Sequence, residues 1–144
     1  MKKILFVCHG NICRSPMAEY VMKDLVKKAG LEAEFQIASA ATSREEIGNP
    51  VYPPAQRKLA EHGISCEGHA ARQLCNRDYE EYDLLIGMDK ANLHNMFSAA
   101  AISTTRCISC WSTPADRIKR WRTPGIRETL IPPGRMCWRG VRDF

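Results

Sequence analysis

The sequence predicts an α/β fold, a parallel sheet with helices on both faces. Three observations predict it. Ile4 to Val7 is a continuous apolar run, the pattern of a strand buried on both sides. That run passes through a short loop into a segment with helical spacing. Two further apolar runs, Phe35–Ala40 and Leu84–Met88, alternate with helical patterns. At 144 residues the chain is long enough for one domain with a proper core.

Each element has its own signal. From about Pro16, Met17, Val21 and Leu25 recur at helical spacing with Met22 and Val26 beside them, and Gly30 is the expected stop. Phe35 to Ala40 is the second strand. A loop spans Ala41 to Pro53 and contains Gly48-Asn49-Pro50. The next helix runs from about Pro54 to His62 and ends at Gly63. Arg72 to Asn76 leads into a short helix, Asp78 to Tyr82. Leu84 to Met88 is the third strand, and another helix starts near Ala91. Ligands of such sheets bind beyond the carboxyl ends of the strands. The loop after the first strand lies there.

That loop reads Cys8-His9-Gly10-Asn11-Ile12-Cys13-Arg14-Ser15-Pro16. It sets a thiol and a guanidinium six positions apart on a segment short enough to curl around one oxyanion. Backbone N–H groups from His9 to Arg14 and the positive end of the following helix make an anion cradle and favour the thiolate. Arg14 adds a planar fork that suits two phosphate oxygens. The expected chemistry is attack of the Cys8 sulfur on a phosphoryl group, through a phosphocysteine intermediate. Gly10 permits close backbone approach. Ser15 is placed as a helix N-cap with Pro16 at the first helical position, and as a hydrogen-bond donor to the Cys8 thiolate. An ordinary buried cysteine and a passive anion nest are the bland alternatives. The whole pattern of strand, Cys-x5-Arg-Ser and helix disfavours both.

Charge is unevenly distributed. The chain carries a net +5, yet residues 1–99 hold 12 basic and 13 acidic side chains, and residues 100–144 hold nine and three. No signal peptide and no membrane-length apolar run is evident. The seven cysteines are odd in number, which points to free thiols in a reducing cytoplasm.

The motifs VCHGNICRSPMAE, ASAATSREEIGNPVYPPA, LAEHGI, GHAARQL and YDLLIGMDKAN occur in this order. Through them the first two-thirds of the chain resembles the low-molecular-weight protein-tyrosine phosphatases. The resemblance implies a Rossmann-like four-stranded parallel sheet of the phosphotyrosine phosphatase I type. It also implies cofactor-free and metal-free hydrolysis of phosphotyrosine on proteins, with neither nucleic acid nor membrane as partner. It makes Cys8 the nucleophile and Arg14 the phosphate clamp. Asn11 and Ser15 hold the loop's shape, His69 backs the loop, and Cys13 is a redox partner able to form a reversible disulfide with Cys8.

The chain departs from the family in two places. The stretch Ser43-Arg44-Glu45-Glu46-Ile47 lacks the aromatic residue that often walls the phosphotyrosine ring, and Ile47 and Tyr52 are the candidates to replace it. Glu45 and Glu46 would repel an anionic substrate flank. Phosphotyrosine, phosphoarginine and small aryl phosphates therefore all stay open. An arsenate reductase of the same fold, with Cys66 and Cys75 as resolving thiols, is an alternative. A non-catalytic phosphoprotein-binding module or inactive product is another.

The second departure is larger. The family protonates its leaving group from an Asp-Pro aspartate near the C-terminus, and this chain has no Asp-Pro. Asp89, Asp116 and Asp143 are not assigned to that role. After about Phe97 the family pattern stops, with no family-type fourth strand and no final amphipathic helix. All three tryptophans (Trp111, Trp121, Trp138) and eight of the thirteen arginines fall in this tail. Such composition is what GC-rich DNA yields when read out of frame. Joining the last base of each codon to the first two of the next tests this. Arg122 to Leu130 can then encode Asp-Pro-Trp-Tyr-Thr-Gly-Asp-Phe, and Ile118 to Thr123 can encode Gln-Ala-Val-Ala-Asp leading into it. Cys107 to Trp111 can encode His-Leu-Leu-Leu, the missing strand, and Met136 to Val141 can encode Val-Leu-Ala-Gly-Cys. The expectation is a shift of frame near residues 96–99, in the gene or its determined sequence. Residues 1–98 are then a phosphatase-like domain and residues 99–144 an aberrant basic tail of poor order. The Cys107-Ile108-Ser109-Cys110 motif becomes an accident, with no second ligand pair for zinc.

Overall fold

The structure is a computed structural model and describes residues 1–99 and 107–109. Its elements run β1 (Lys2–Cys8), α1 (Arg14–Lys28), a 3-10 turn (Glu32–Glu34), β2 (Phe35–Ala41), α2 (Pro53–Glu61), α3 (Asn76–Glu81), β3 (Leu84–Gly87), α4 (Lys90–Ala99) and β4 (Cys107–Ser109). The sheet order is β2-β1-β3-β4 and every pairing is parallel. In register, Ile4 faces Ile37 on one side and Leu84 on the other.

The apolar run of β1 is continuous because both faces of this central strand are covered. Alternate side chains go to opposite layers. Ile4, Phe6 and Cys8 pack with Ala18, Val21, Met22 and Val26 of α1, and with Leu59 of α2. Leu5 and Val7 pack with Tyr79, Tyr82, Leu85 and Met96. Burying one such large side chain stabilises the fold by about 1.5–3 kcal/mol.

One helix boundary differs from its expectation. Ser15 is not the N-cap of α1. The helix begins at Arg14, the N-cap is Cys13, and its carbonyl accepts from Met17 N–H at 3.1 Å. Ser15 is thereby drawn into the first turn, and Pro16 is tolerated there because a first-turn N–H needs no intrahelical partner. The expected stops hold: Gly30 and Gly63 both follow helix ends with left-handed φ values of 71° and 70°.

The expectation of no fourth strand is corrected. Leu85, Ile86 and Gly87 pair with Cys107, Ile108 and Ser109. An edge strand needs ladder bonds on one side only, and three residues with a central β-branched Ile108 suffice to cover the open edge of β3. The other expectations for the tail concern residues outside those described.

α3 is tied to the loop before it by charge. Arg72 Nη1 and Nη2 donate to the Asp78 carboxylate at 3.0 and 2.9 Å, and Cys75 N–H donates to it at 2.8 Å. Burial alone would raise the Asp78 pKa, but these donors outweigh it and hold the carboxyl below its ordinary 3.8. Since the folded-state pKa is depressed, the pair stabilises the fold above 3.8 and is lost as pH falls through the folded value. In urea titrations we expect stability to drop with acidification below 3.8, and Asp78→Asn to remove that part of the drop while costing about 1.5–3 kcal/mol at neutral pH, since Arg72 is 40% exposed.

Candidate functional site

Between its first three strands the sheet reverses direction of growth: β1 is followed by β2 on one side and β3 on the other. In open parallel sheets such a switch point, at the carboxyl ends of the strands, is where ligands bind. The loop from Cys8 to Arg14 fills that position, between the end of β1 and the start of α1.

The loop is shaped from outside. Thr42 N–H donates to Cys8 O at 2.9 Å, Ser43 N–H to His9 O at 3.0 Å, and Tyr52 N–H to Ile12 O at 2.7 Å. His69 Nε2–H donates to Asn11 O at 2.8 Å. Four loop carbonyls are thus drawn outward. In a trans peptide the N–H points opposite to the C=O, so the N–H groups of the same peptides turn inward. Asn11 N–H lies 3.3 Å from Cys8 Sγ. The sulfur thus sits beside the Asn11 N–H and the Ser15 hydroxyl, just before the N-terminus of α1.

Asn11 locks the loop. It is fully buried and its φ of 57° is left-handed, the one such non-glycine residue among those described. Asparagine tolerates this region better than most residues. Its side chain also bonds on every side: Nδ2 donates to Ser15 Oγ at 2.9 Å and Ser39 Oγ at 2.8 Å, and Oδ1 accepts from Arg72 N–H at 3.1 Å. Ser39 in turn donates to the buried Glu19, which Lys23 neutralises. Gly10 has another role. A Cβ there would lie 3.3 Å from Glu46 Cγ, so glycine lets that segment close over the loop.

Cys8 is 3% exposed and shares a hydrogen bond with Ser15 Oγ at 3.0 Å. Cys13 differs. Burial first and the neighbouring Cys8 second push its thiol above 9.0, against the pull of Arg14, so at neutral pH it is a protonated thiol. His9 stands on the rim, its Nε2 3.1 Å from Glu45 Oε2. Cys75 is exposed at the start of α3, and Cys66 packs against the layer beneath α1.

Sequence reasoning missed the partner of Arg14. Asp89 follows β3, and its Oδ2 accepts from Arg14 Nη1 at 2.5 Å. Burial would raise the Asp89 pKa, but Arg14 and the N–H groups of Asn92 and Ala91 hold it below 3.8. Asp89 is therefore ionised at neutral pH. It can aim a guanidinium but cannot deliver a proton. The missed carbonyl anchors, Thr42, Ser43 and Tyr52, act through backbone N–H groups, which leave no mark on residue type. Among the described residues, no three His, Cys, Asp or Glu side chains gather as a metal site.

Conformation and hydrogen bonding at Asn11 separate by substitution. Asn11→Gly keeps the backbone at ease and loses only the side-chain bonds. Asn11→Ala loses both and should be less stable than Asn11→Gly by about 1–2 kcal/mol in urea unfolding.

The family of "Low molecular weight phosphotyrosine protein phosphatase" matches residues 3–117. The chain is 43% identical over 105 residues to the low molecular weight protein-tyrosine-phosphatase YfkJ of Bacillus subtilis, covering 73% of this chain and 67% of that protein. It is 43% identical over 95 residues to the human low molecular weight phosphotyrosine protein phosphatase, covering 66% of this chain and 60% of that protein. Thus it spans less than two-thirds of the human relative's length. The crystal structure of YfkJ superposes with a TM-score of 0.75 at 40% identity, over 76% of this chain and 70% of that one. A low molecular weight protein tyrosine phosphatase from Streptococcus pyogenes gives 0.71 at 37% identity, over 76% and 72%. With the cysteine loop at the sheet's switch point and these matches together, the chain belongs to the low-molecular-weight phosphotyrosine protein phosphatase family.

Proposed function

We propose that this chain is a phosphomonoester hydrolase of protein-tyrosine-phosphatase type that keeps its nucleophile loop and lacks the general acid that protonates the leaving group. The observation that carries the first half is the Cys8 sulfur, bonded by Asn11 N–H and Ser15 Oγ inside the loop. The N–H groups of His9, Gly10, Asn11, Ile12, Cys13 and Arg14 receive the phosphoryl oxygens, with the Arg14 guanidinium clamping two of them. The sulfur forms its bond to phosphorus as the ester P–O bond breaks. Water then attacks phosphorus, the S–P bond breaks, and Ser15 O–H stabilises the departing thiolate. When a peroxide oxidises Cys8 to its sulfenic acid, the Cys13 thiol condenses with it and releases water, and an external thiol later reduces the disulfide.

The departing alkoxide needs a proton. The sequence contains no Asp-Pro, and Asp89 is committed to Arg14 as an anion. Aryl esters with acidic leaving groups escape this need because the aryloxide departs unprotonated. The substrate is a phosphotyrosine or phosphoarginine protein in the cytoplasm, and no helix among the described residues is long and apolar enough to cross a membrane. Residues 1–98 are the phosphatase-like domain, and residues 99–144 are a tail read out of frame. The Asp-Pro that appears when Arg122, Thr123 and Pro124 are read in the shifted frame supports this reading.

Two experiments test it. An activated aryl phosphate should be hydrolysed with phosphate release abolished by Cys8→Ser, and phosphotyrosine should turn over about 10²–10⁴ more slowly than in a relative that retains the acid. Equal rates on both substrates, or activity that survives Cys8→Ser, contradict the reading. Resequencing the DNA for residues 96–99 should reveal the shift, and restoring the frame should return phosphotyrosine hydrolysis by a similar factor. An uninterrupted frame rules the shift out.

A further inference from the structure

Three neighbouring side chains of α1 reach the cysteine loop only through other residues. Glu19, Tyr20 and Lys23 are spaced so that Lys23 lies one turn beyond both of the others. Its ammonium bonds Glu19 Oε1 at 2.5 Å and sits 5.1 Å from the centre of the Tyr20 ring, within cation–π range. One cation thus holds two partners.

Each partner begins a chain of contacts that ends on Asn11. Glu19 accepts from Ser39 Oγ at 2.5 Å, and Ser39 accepts from Asn11 Nδ2 at 2.8 Å. The Tyr20 ring meets the His69 ring edge-on, with centroids 6.0 Å apart and planes at 77°. His69 Nε2–H then donates to Asn11 O at 2.8 Å. The first chain fixes the Asn11 side chain and the second its carbonyl.

Charge gives this clasp its reach. The Glu19 side chain is 8% exposed and that of Lys23 45%, so a buried carboxylate is answered by a cation reaching in from solvent. As an anion Glu19 can only accept, so Ser39 donates to it and receives from Asn11. The other Asn11 Nδ2 hydrogen goes to Ser15 Oγ at 2.9 Å, which leaves the Ser15 hydrogen for Cys8 Sγ at 3.0 Å. The Ala40 carbonyl, at 3.4 Å, is the more distant acceptor. The direction of each hydrogen bond from Glu19 to the sulfur follows from one ion pair.

We propose that Lys23 is a positioning residue of the phosphate site: its ammonium clasps Glu19 and the Tyr20 ring and so holds, through Ser39 and His69, the Asn11 turn that shapes the Cys8 loop. This role rests on the phosphate-site reading above and adds Lys23 and Tyr20 to it.

Protection of Cys8 from iodoacetate by inorganic phosphate tests this on the full chain, with the carboxymethylated Cys8 peptide quantified by mass spectrometry. Thiol alkylation needs no general acid, so occupancy is read apart from turnover. Lys23→Met should raise the half-protecting phosphate concentration by about 2- to 30-fold. Lys23→Arg, which keeps a cation over the ring, should recover most of the affinity. Tyr20→Leu leaves the Lys23–Glu19 pair in place and should cause a smaller loss. The double variant Lys23→Met/Tyr20→Leu should lose less than the product of the two, because both act on one route to His69. Lys28→Met removes another ion pair of the same helix, with Asp24 at 2.6 Å, and should leave protection unchanged. Unchanged protection in Lys23→Met, even with a lower melting temperature, overturns the proposal and leaves Lys23 a stabilising surface residue. So does an equal loss in Lys28→Met, which marks a general effect of charge. If phosphate does not protect wild-type Cys8 at all, the phosphate-site reading fails and this role falls with it.

Discussion

The site depends on one residue held where its backbone is least at ease. Asn11 sits at φ 57° with no solvent contact, and its side chain binds Ser15, Ser39 and Arg72 at once. Those partners come from α1, β2 and the segment before α3. The left-handed turn thus becomes a joint between three parts of the fold. In that conformation the Asn11 N–H reaches the Cys8 sulfur at 3.3 Å. A strained conformation kept by surrounding over-determination is a common device for preorganising a site.

The rest of the architecture serves that joint. The parallel sheet places the end of β1 at a switch point, and the loop before α1 turns the Asn11 N–H toward the sulfur. Arg14 and Asp89 come from α1 and from the segment after β3 and meet as an ion pair. A guanidinium aimed by a carboxylate loses less freedom when an anion arrives than one left to swing in solvent. That same pairing fixes Asp89 as an anion and removes it from proton transfer.

Much of this was legible in the sequence. Apolar β1, the glycine stops after α1 and α2, and the spacing of Cys8, Arg14 and Ser15 each follow from short-range chemistry. The expected partners Ser15 and His69 both reach the loop, at Cys8 Sγ and at Asn11 O. The unread parts are of two kinds. Long-range pairing, such as Arg14 with Asp89, joins positions 75 apart and has no local signature. Backbone donors such as Thr42, Ser43 and Tyr52 are invisible because every residue but proline carries an N–H. Ser15 is not the cap because α1 begins one residue earlier, at Arg14, which leaves its hydroxyl to Cys8 as the sequence also suggests.

β4 carries a wider lesson. Three residues, Cys107–Ser109, complete the sheet through amides alone. Strand pairing asks only for peptide groups at the right rise, which nearly any stretch of polypeptide provides. Proton delivery asks for one carboxyl at one point in space. Such an edge tolerates sequence change that a reacting centre could not, because the ladder is built from groups common to all residues and the chemistry from groups particular to a few.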